Sequence, residues 1–226
     1  MIYVMSDLHG CYDKYIRMLK EIRFGDSDTL YVLGDVVDRG SKGLKILLDM
    51  SRRKNVVFLW GNHDFLAMQI LNKMCDQTGF FSDEMELCIQ MWVYDGGNTT
   101  LDEFMRISPR NRRKVMDYLF TGRSYIEIEV NGRKFFLAHS VPGKKEMLNL
   151  KDCKMDDFLE GEPEYEQTYY EDEYIVTGHT PTGLISEEYT GRIFAGNNHI
   201  AIDCGAVFDN GRLGCICLDD LKEYYV

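Results

Sequence analysis

Three short apolar runs recur at a constant interval of 27 residues, at positions 2–5, 29–33 and 56–60. Runs of this length are typical of buried strands. The two segments between them, residues 12–22 and 44–50, carry apolar residues at helical spacing. A β-α-β-α-β succession requires parallel strands joined by right-handed crossovers. The beginning of the chain therefore predicts an α/β fold with parallel strands.

The middle of the chain has helical patterning. Apolar residues at helical spacing follow the third run and return over residues 83–94. Thr100 and Glu103 have the spacing of a capping box, and Ser108 before a proline predicts another helix N-terminus. We therefore expect a helical cap, inserted at about residues 65–123.

Strand patterns return after the predicted cap. Five further apolar or alternating runs indicate strands, at residues 125–130, 134–138, 174–177, 199–203 and 213–218. No linker rich in Gly, Pro or Ser separates these patterns. The sequence thus predicts one domain over residues 1–226, with β-sheet layers flanked by helices. Either each half of the chain forms one sheet or all strands form a single mixed sheet.

The charge balance and composition limit the kinds of partner. The chain has 37 acidic and 26 basic residues, and its net charge of −11 argues against stable nucleic-acid binding because phosphate backbones are repelled. No apolar run approaches the roughly 18 residues of a membrane span, so we expect no membrane partner. The apolar run at residue 2 leaves no room for a signal peptide, and we interpret the seven cysteines as reduced thiols. These features predict a cytoplasmic protein.

Polar side chains follow the predicted strands. Asp7 and His9 close the first strand, where side chains two residues apart share a face and can point at one ion. Four further groups follow the second strand, the third and two later ones, as Gly34-Asp35-Val36-Val37-Asp38-Arg39-Gly40, Gly61-Asn62-His63-Asp64, His139-Ser140 and Gly178-His179-Thr180. Because α/β sheets bind ligands outside the carboxyl ends of their strands, we expect these groups to converge on one crevice. His199 precedes a strand instead, and we interpret it as structural.

The chemistry of these side chains indicates a metal centre. Carboxylate, imidazole and amide oxygen without thiolate favour Mn²⁺, Fe or Zn²⁺ over a cysteine-based structural zinc site. Two ions about 4 Å apart can share one carboxylate, lower the pKa of a bridging water and hold a phosphoryl group for in-line attack. We therefore predict a centre of two divalent metal ions, with Mn²⁺ preferred and Fe or Zn²⁺ as alternatives.

The motifs resemble those of the phosphoprotein phosphatase family of metallophosphoesterases. Five motifs carry the resemblance in the family's order, namely Asp7-x-His9, Gly34-Asp35-x-x-Asp38-Arg39-Gly40, Gly61-Asn62-His63-Asp64, His139 and Gly178-His179. Trp92 with residues 96–101, and residues 202–207, are similar to segments of small bacterial and phage members, which include serine/threonine protein phosphatases and diadenosine tetraphosphatases. The resemblance implies an α/β calcineurin-like metallophosphoesterase fold with a helical cap.

The resemblance also implies a role for each matching residue. The metal ligands would be Asp7 and His9 at the first ion, Asp35 between the two ions, and Asn62, His139 and His179 at the second. His63 would protonate the leaving oxygen, with Asp38 orienting its ring. Arg39 would bind the phosphate through its planar guanidinium, and Asn62 would also contact the substrate.

Three positions depart from the family pattern. Asp64 stands where the family usually has Glu. Its side chain is one carbon shorter, which predicts a weaker contact with the residues that surround the metal ligands. Ser140 is followed by valine rather than by glycine. The family's second phosphate-binding arginine would fall within residues 140–178, which contain no arginine, so Lys144 or Lys145 is the candidate replacement.

The expected activity is hydrolysis of phosphomonoesters, with phosphoserine or phosphothreonine in proteins as the substrate. The alternative substrate is a nucleotide polyphosphate, a symmetrical dinucleoside tetraphosphate, because the same centre performs both reactions. Ten acidic residues between positions 152 and 173 favour a basic phosphopeptide over a highly anionic dinucleotide. A non-catalytic scaffold and a nuclease rank below, because every ligand position and His63 are present and the net charge is strongly negative.

Overall fold

Ten strands form two five-stranded sheets in the computed structural model, which describes residues 1–75 and 82–226. In chain order they are β1 (Ile2–Met5), β2 (Thr29–Leu33), β3 (Val56–Leu59), β4 (Tyr125–Val130), β5 (Arg133–Ala138), β6 (Glu173–Thr177), β7 (Phe194–Gly196), β8 (His199–Ala201), β9 (Gly214–Cys217) and β10 (Glu223–Tyr225). The strand order is β10-β9-β1-β2-β3 in the first sheet and β4-β5-β6-β8-β7 in the second.

The helices lie mainly between β1 and β4. Those within the described residues are α1 (Tyr12–Glu21), α2 (Gly43–Met50), α3 (Asn62–Cys75), α4 (Asp83–Trp92), α5 (Asn98–Arg106), α6 (Pro109–Leu119), α7 (Lys144–Met147), α8 (Met155–Leu159) and α9 (Thr182–Ile185). A π-helical turn, Val93–Gly97, joins α4 to α5. The predicted cap at about 65–123 thus holds α3 to α6, and its residues 76–81 lie outside the described residues. Among the described residues, no helix has both the length and the apolar content needed to cross a membrane.

The parallel start of the fold is confirmed. β1 pairs in parallel with β2, and β2 pairs in parallel with β3. β5, β6 and β8 form a second parallel set in the other sheet. Of the two predicted arrangements, two separate sheets are observed, but β9 and β10 return to the first sheet as antiparallel strands. The prediction that each half of the chain forms its own sheet is therefore wrong for these last two strands.

Side chains of the strands alternate between separate cores. In β1, Tyr3 and Met5 pack with residues of α1, α2, α3, α5 and α6, whereas Val4 packs between the two sheets. In β5, Phe135 belongs to the same core between the sheets, whereas Phe136 faces α7 and α8. The molecule is thus layered as helices, sheet, sheet and helices. Strands buried on both faces explain the uninterrupted apolar runs in the sequence.

The capping box predicted at Thr100 and Glu103 is wrong. Thr100 lies inside α5, where its hydroxyl donates a hydrogen bond to Asp38 at 2.6 Å. The Glu103 carboxylate accepts hydrogen bonds from the N–H groups of Leu44 and Lys45, at 2.9 Å each. Glu103 therefore caps the start of α2, and contacts across the fold have replaced the local pairing that the spacing suggested.

Other local predictions hold to within a few residues. Ser108 is the N-cap of α6, because its hydroxyl accepts a hydrogen bond from the N–H of Asn111 at 3.3 Å. Cys215 and Cys217 face the helix-covered core from alternate positions of β9, as predicted for a strand. All seven cysteines are free. The short strands β7 and β10 were not predicted, because neither has an apolar run of its own.

Candidate metal centre

The predicted metal ligands all follow parallel strands and meet at one edge of the two sheets. Asp7 and His9 follow β1, Asp35 follows β2, Asn62 begins α3 after β3, His139 follows β5 and His179 follows β6. Parallel strands of both sheets bring these groups together because their carboxyl ends face the same crevice. The convergence predicted from the strand ends is therefore observed.

Asp35 lies at the middle of this cluster. Its Oδ2 is 3.4 Å from Nε2 of His9, and its Oδ1 is 3.5 Å from Nε2 of His139. Two buried groups of ligand atoms, each within 4.8 Å of one another, share Asp35: one adds His9 and His63, and the other adds Asp7 and His139. Asp35 is thus common to both groups, as predicted for a carboxylate between two ions. The other members differ from the predicted division, because His63 lies in one group and Asp7 lies with His139 in the other.

The histidine rings present unprotonated nitrogens to the cluster. Nδ1 of His9 lies 2.9 Å from the carbonyl oxygen of Val37, and Nδ1 of His139 lies 2.6 Å from that of Leu33. A carbonyl only accepts, so Nδ1 carries the proton in both rings and Nε2 keeps its lone pair for a cation. Burial lowers the pKa of His9 to about 4 and also lowers that of His139, which keeps both rings neutral.

Asn62 and His179 are the two remaining predicted metal ligands. Oδ1 of Asn62 lies 3.1 Å from Nε2 of His139. Both atoms are acceptors, and two acceptors this close are stabilised by a cation between them. The ring of His179 lies 5.1 Å from that of His139, and burial lowers its pKa to about 4. The donor set of carboxylate, imidazole and amide oxygen therefore fits Mn²⁺, Fe or Zn²⁺.

The backbone at these residues is strained. Asp7, His9, Asp35 and His179 have φ of 52°, 36°, 51° and 67°, in the left-handed region that residues with a Cβ rarely adopt. The expectation that Asp7 and His9 share a strand face is wrong, because β1 ends at Met5. Strain of this kind concentrates at functional sites, where surrounding contacts hold the backbone.

Two glycines let the carboxylates approach the main chain. A Cβ on Gly61 would lie 2.0 Å from Oδ1 of Asp35, and a Cβ on Gly178 would lie 2.2 Å from Oδ2 of Asp7. The N–H of His179 donates to both Asp7 oxygens, at 3.2 and 3.1 Å. The glycines before Asn62 and His179 are therefore needed for close packing, and not only for a turn.

Asp38 and His63 form a buried pair beside the ligands. Nδ1 of His63 lies 2.8 Å from Oδ2 of Asp38. The same Asp38 carboxylate accepts hydrogen bonds from Nε1 of Trp92 at 2.7 Å and from the hydroxyl of Thr100 at 2.6 Å. Burial lowers the pKa of His63, but the carboxylates of Asp35 and Asp38 outweigh burial and raise it to about 9. A ring held in this way by a carboxylate can act as an acid.

Arg39 lies against the histidines, and an additional carboxylate faces it. Its Nη1 lies 2.9 Å from Nε2 of His9, and its Nη2 lies 3.0 Å from Nε2 of His63. The Asp95 carboxylate, 61% exposed, lies 3.5 Å from Nη2 of Arg39 and 3.5 Å from Nε2 of His63. The sequence reasoning missed Asp95. The signal that the sequence offered was the position of Asp95 directly before two glycines. In the structure, the carbonyl of the first of them, Gly96, accepts a hydrogen bond from the N–H of Arg39.

Another buried carboxylate, Asp203, was also missed as a candidate. It follows β8, and its Oδ1 accepts a hydrogen bond from the N–H of Gly205 at 2.8 Å. Burial, Asp203 and Asp35 together raise the pKa of Asp7 well above its usual range. Such crowding of carboxylates is relieved when cations bind among them.

Asp64 still joins two loops of the site despite its shorter side chain. Its Oδ1 accepts hydrogen bonds from the N–H groups of Val36 at 3.0 Å and Val37 at 3.3 Å. Its Oδ2 accepts one from Gly61 at 3.1 Å. Asp64 therefore ties the loop after β2 to the loop after β3, both of which carry predicted ligands.

The segment after His139 is joined to residues 158–161 by hydrogen bonds. The Ser140 hydroxyl donates to the carbonyl of Gly161 at 2.8 Å. The neighbouring Glu160 lines a cleft together with Asn62 and His63. Lys144 and Lys145 lie in α7. No hydrogen bond or ion pair within residues 1–75 and 82–226 joins either lysine side chain to the predicted ligands or to Arg39, so their proposed role in phosphate binding remains a prediction.

Comparison with known proteins gives relatives of two substrate types. Serine/threonine-protein phosphatase 2 of Salmonella typhimurium is 27% identical over 143 residues, which are 62% of this chain and 57% of the relative. A symmetrical bis(5′-nucleosyl)-tetraphosphatase of Buchnera aphidicola is 43% identical over 65 residues, 28% of this chain and 24% of the relative. In both cases the aligned region is less than two thirds of the relative's own length.

Solved structures share the fold. A crystal structure of a candidate diadenosine tetraphosphatase superposes with a TM-score of 0.70 at 17% identity, covering 100% of this chain and 92% of that one. The cold-active protein-tyrosine phosphatase of Shewanella gives a TM-score of 0.55 at 15% identity and covers 99% and 79% of the two chains. Residues 1–183 match the family of calcineurin-like phosphoesterases. The chain thus belongs to the calcineurin-like phosphoesterase family.

Proposed function

We propose that the protein is a dinuclear metal-dependent phosphatase that hydrolyses phosphomonoesters, with phosphoserine or phosphothreonine in proteins as the substrate. The observation that carries this proposal is the buried Asp35 carboxylate, which lies among Asp7, His9, His63 and His139, with Arg39 against His9 and His63. Two divalent ions, with Mn²⁺ preferred, would supply an activated water and neutralise charge on the phosphoryl group. Their ligands would be Asp7, His9, Asp35, Asn62, His139 and His179.

The protein's own side chains have separate tasks in this proposal. Arg39 binds the phosphoryl oxygens through its guanidinium, with Asn62 as a second contact. His63 donates the proton on Nε2 to the leaving oxygen, which a serine or threonine alkoxide requires. Asp38 holds Nδ1 of His63 at 2.8 Å and so orients the ring toward the phosphoester. Asp38 is therefore a positioning residue.

The charges beside the centre favour a peptide substrate. Asp95 lies next to Arg39 and His63, and Glu160 lines the same opening as Asp95. A chain of ionised phosphates would bring further negative charge toward these carboxylates, whereas a peptide carries one phosphate. A neutral or basic phosphopeptide therefore fits this surface better.

A second candidate function is hydrolysis of symmetrical dinucleoside tetraphosphates. It is supported by the Buchnera relative, whose name states that activity. It is also supported by Tyr94, whose side chain is 95% exposed beside the centre and offers a face for a nucleobase. Both activities use the same metal ligands, so the two candidates differ in the surface that surrounds them.

The test is a comparison of kcat/KM for the Mn²⁺-loaded protein on a phosphothreonine peptide and on diadenosine tetraphosphate. The proposal predicts a higher kcat/KM for the peptide and a large loss with His63→Asn. A higher value for the dinucleotide would select the second candidate. Metal binding without activity on either substrate would contradict both and favour a non-catalytic scaffold.

A further inference from the structure

A cleft of about 500 Å³ opens directly beside the His63–Asp38 pair. One end of the cleft is formed by Asn62 and His63, and its wall by apolar side chains of α3, α4 and the turn that follows. The wall consists of Leu66, Leu87, Met91 and Tyr94. The cleft therefore continues from the place where the leaving group of a phosphoester departs.

The apolar wall is exposed to an unusual degree. The exposed fractions are 58% for Leu87, 63% for Met91 and 95% for Tyr94. Leu87 and Met91 are four residues apart on α4, so they share one face of the helix. Contiguous exposed apolar side chains of this kind mark binding surfaces for a ligand or a protein.

The wall has a fixed place relative to the catalytic pair. Trp92 is 1% exposed and follows Met91 directly, and its indole N–H holds Asp38 at 2.7 Å. In the turn after α4, the carbonyl of Gly96 accepts a hydrogen bond from the N–H of Arg39. A group on the wall therefore sits at a defined distance from a phosphate bound by Arg39.

The charges at the cleft select against an anionic occupant. Its polar edge carries the carboxylates of Asp95 and Glu160, and no Lys or Arg is among the described residues that line it. A nucleobase attached to a polyphosphate would place several phosphates near these carboxylates. An uncharged aliphatic side chain of a peptide meets no such repulsion and removes apolar surface from water.

We propose that this cleft binds a large apolar side chain adjacent to the phosphorylated residue, so that the enzyme selects phosphopeptides with leucine or a similar residue beside the phosphoserine or phosphothreonine. The inference rests on the proposed phosphatase function and adds the sequence preference of the substrate. It assigns Leu87 and Met91 to substrate selection, and not to the chemical step.

The experiment compares two phosphothreonine peptides that differ only in having leucine or serine on both sides of the phosphothreonine. The Mn²⁺-loaded protein is expected to give at least about a fivefold higher kcat/KM for the leucine peptide, through a lower KM. Leu87→Gln and Met91→Gln are each expected to reduce this preference severalfold, through a higher KM for the leucine peptide. Both side chains are exposed, so neither substitution disturbs the core.

Matched controls are available on other surfaces of the chain. Leu148 is 58% exposed and Met105 is 57% exposed, and neither lines the cleft. Leu148→Gln and Met105→Gln should keep the preference for the leucine peptide. Equal kcat/KM for the two peptides in the unmodified protein, or the same loss in cleft and control variants, would overturn the inference alone. Hydrolysis of diadenosine tetraphosphate with neither peptide hydrolysed would overturn the proposed function as well.

Discussion

Nε1 of Trp92 donates a hydrogen bond of 2.7 Å to Oδ2 of Asp38, the same oxygen that holds Nδ1 of His63 at 2.8 Å. The other oxygen of Asp38 accepts the hydroxyl of Thr100. Trp92 and Thr100 belong to α4 and α5, in the helical segment that follows β3 in the chain, whereas Asp38 follows β2. The helical segment therefore fixes the carboxylate that orients the predicted acid.

Trp92→Phe should lower kcat without loss of the bound metal ions. Loss of one hydrogen bond to a charged group leaves Asp38 less firmly held, which is expected to lower kcat by about tenfold for a substrate with a poor leaving group. The loss should be smaller for a good leaving group, because proton donation matters less there. The measurement is kcat across a series of leaving groups.

Trp60→Phe is the matched control for this substitution. Nε1 of Trp60 also donates a hydrogen bond of 2.7 Å, but to the carbonyl of Leu119, away from the catalytic pair. Its kcat should stay near that of the unmodified protein across the series. If both variants lose activity alike and with no dependence on the leaving group, Trp92 has only a general structural role.

His63→Asn should retain metal ions but lose the acid. For a phosphothreonine peptide we expect kcat to fall by roughly 100-fold to 10,000-fold, the usual contribution of general acid catalysis. For an aryl phosphate with a good leaving group the loss should shrink. Equal losses on the two substrates, measured at matched metal content, would contradict the role of His63 as the proton donor.

Glu160→Gln should change the choice between substrates. Removing this carboxylate from the edge of the cleft is expected to raise kcat/KM for diadenosine tetraphosphate severalfold relative to a phosphopeptide, because less negative charge opposes the polyphosphate. The effect should decline with added salt, which screens it. Glu162→Gln, an exposed neighbour that does not line the cleft, is the control. If the ratio of kcat/KM for the two substrates is unchanged in both variants, the charge of Glu160 does not select against the polyphosphate.

Asp64→Ala should lower stability more than an ordinary surface change. The substitution leaves the buried N–H groups of Val36, Val37 and Gly61 without their acceptor. Such losses are expected to cost about 3 kcal/mol in the free energy of unfolding. Urea unfolding of this variant and of Asp117→Ala, at an exposed position, measures the difference. A cost below about 1 kcal/mol would show that the two loops do not depend on Asp64.

The sequence predicts the parallel strands and the edge at which the polar groups meet. β1 and β2 are buried on both faces, so each appears as a continuous apolar run, and parallel strands must place their carboxyl ends together. β10 lacks such a run, because Glu223–Tyr225 is placed by pairing with β9 and not by its own composition. Local pattern therefore finds central strands and misses short ones at a sheet edge.

The site shows the same limit. Asp35 and His63 were predictable because they directly follow strands, but Asp95 stands in a π-helical turn that no hydrophobic pattern encodes. Thr100 was misassigned because its partner, Asp38, is 62 residues away in sequence. Contacts of this range depend on how the helices pack on the sheet, which single-sequence spacing does not specify.

Metal content and activity measured on the same samples test the central claim most directly. The unmodified protein should bind about two Mn²⁺ ions per chain, as the proposed centre with Asp35 between two ions requires. Asp35→Asn should lose most of this metal and its phosphatase activity together, whereas Asp49→Asn, at a carboxylate that holds Tyr15 and Arg53, should keep both. Full metal occupancy with normal activity in Asp35→Asn would contradict the claim that Asp35 joins two ions in a phosphatase centre.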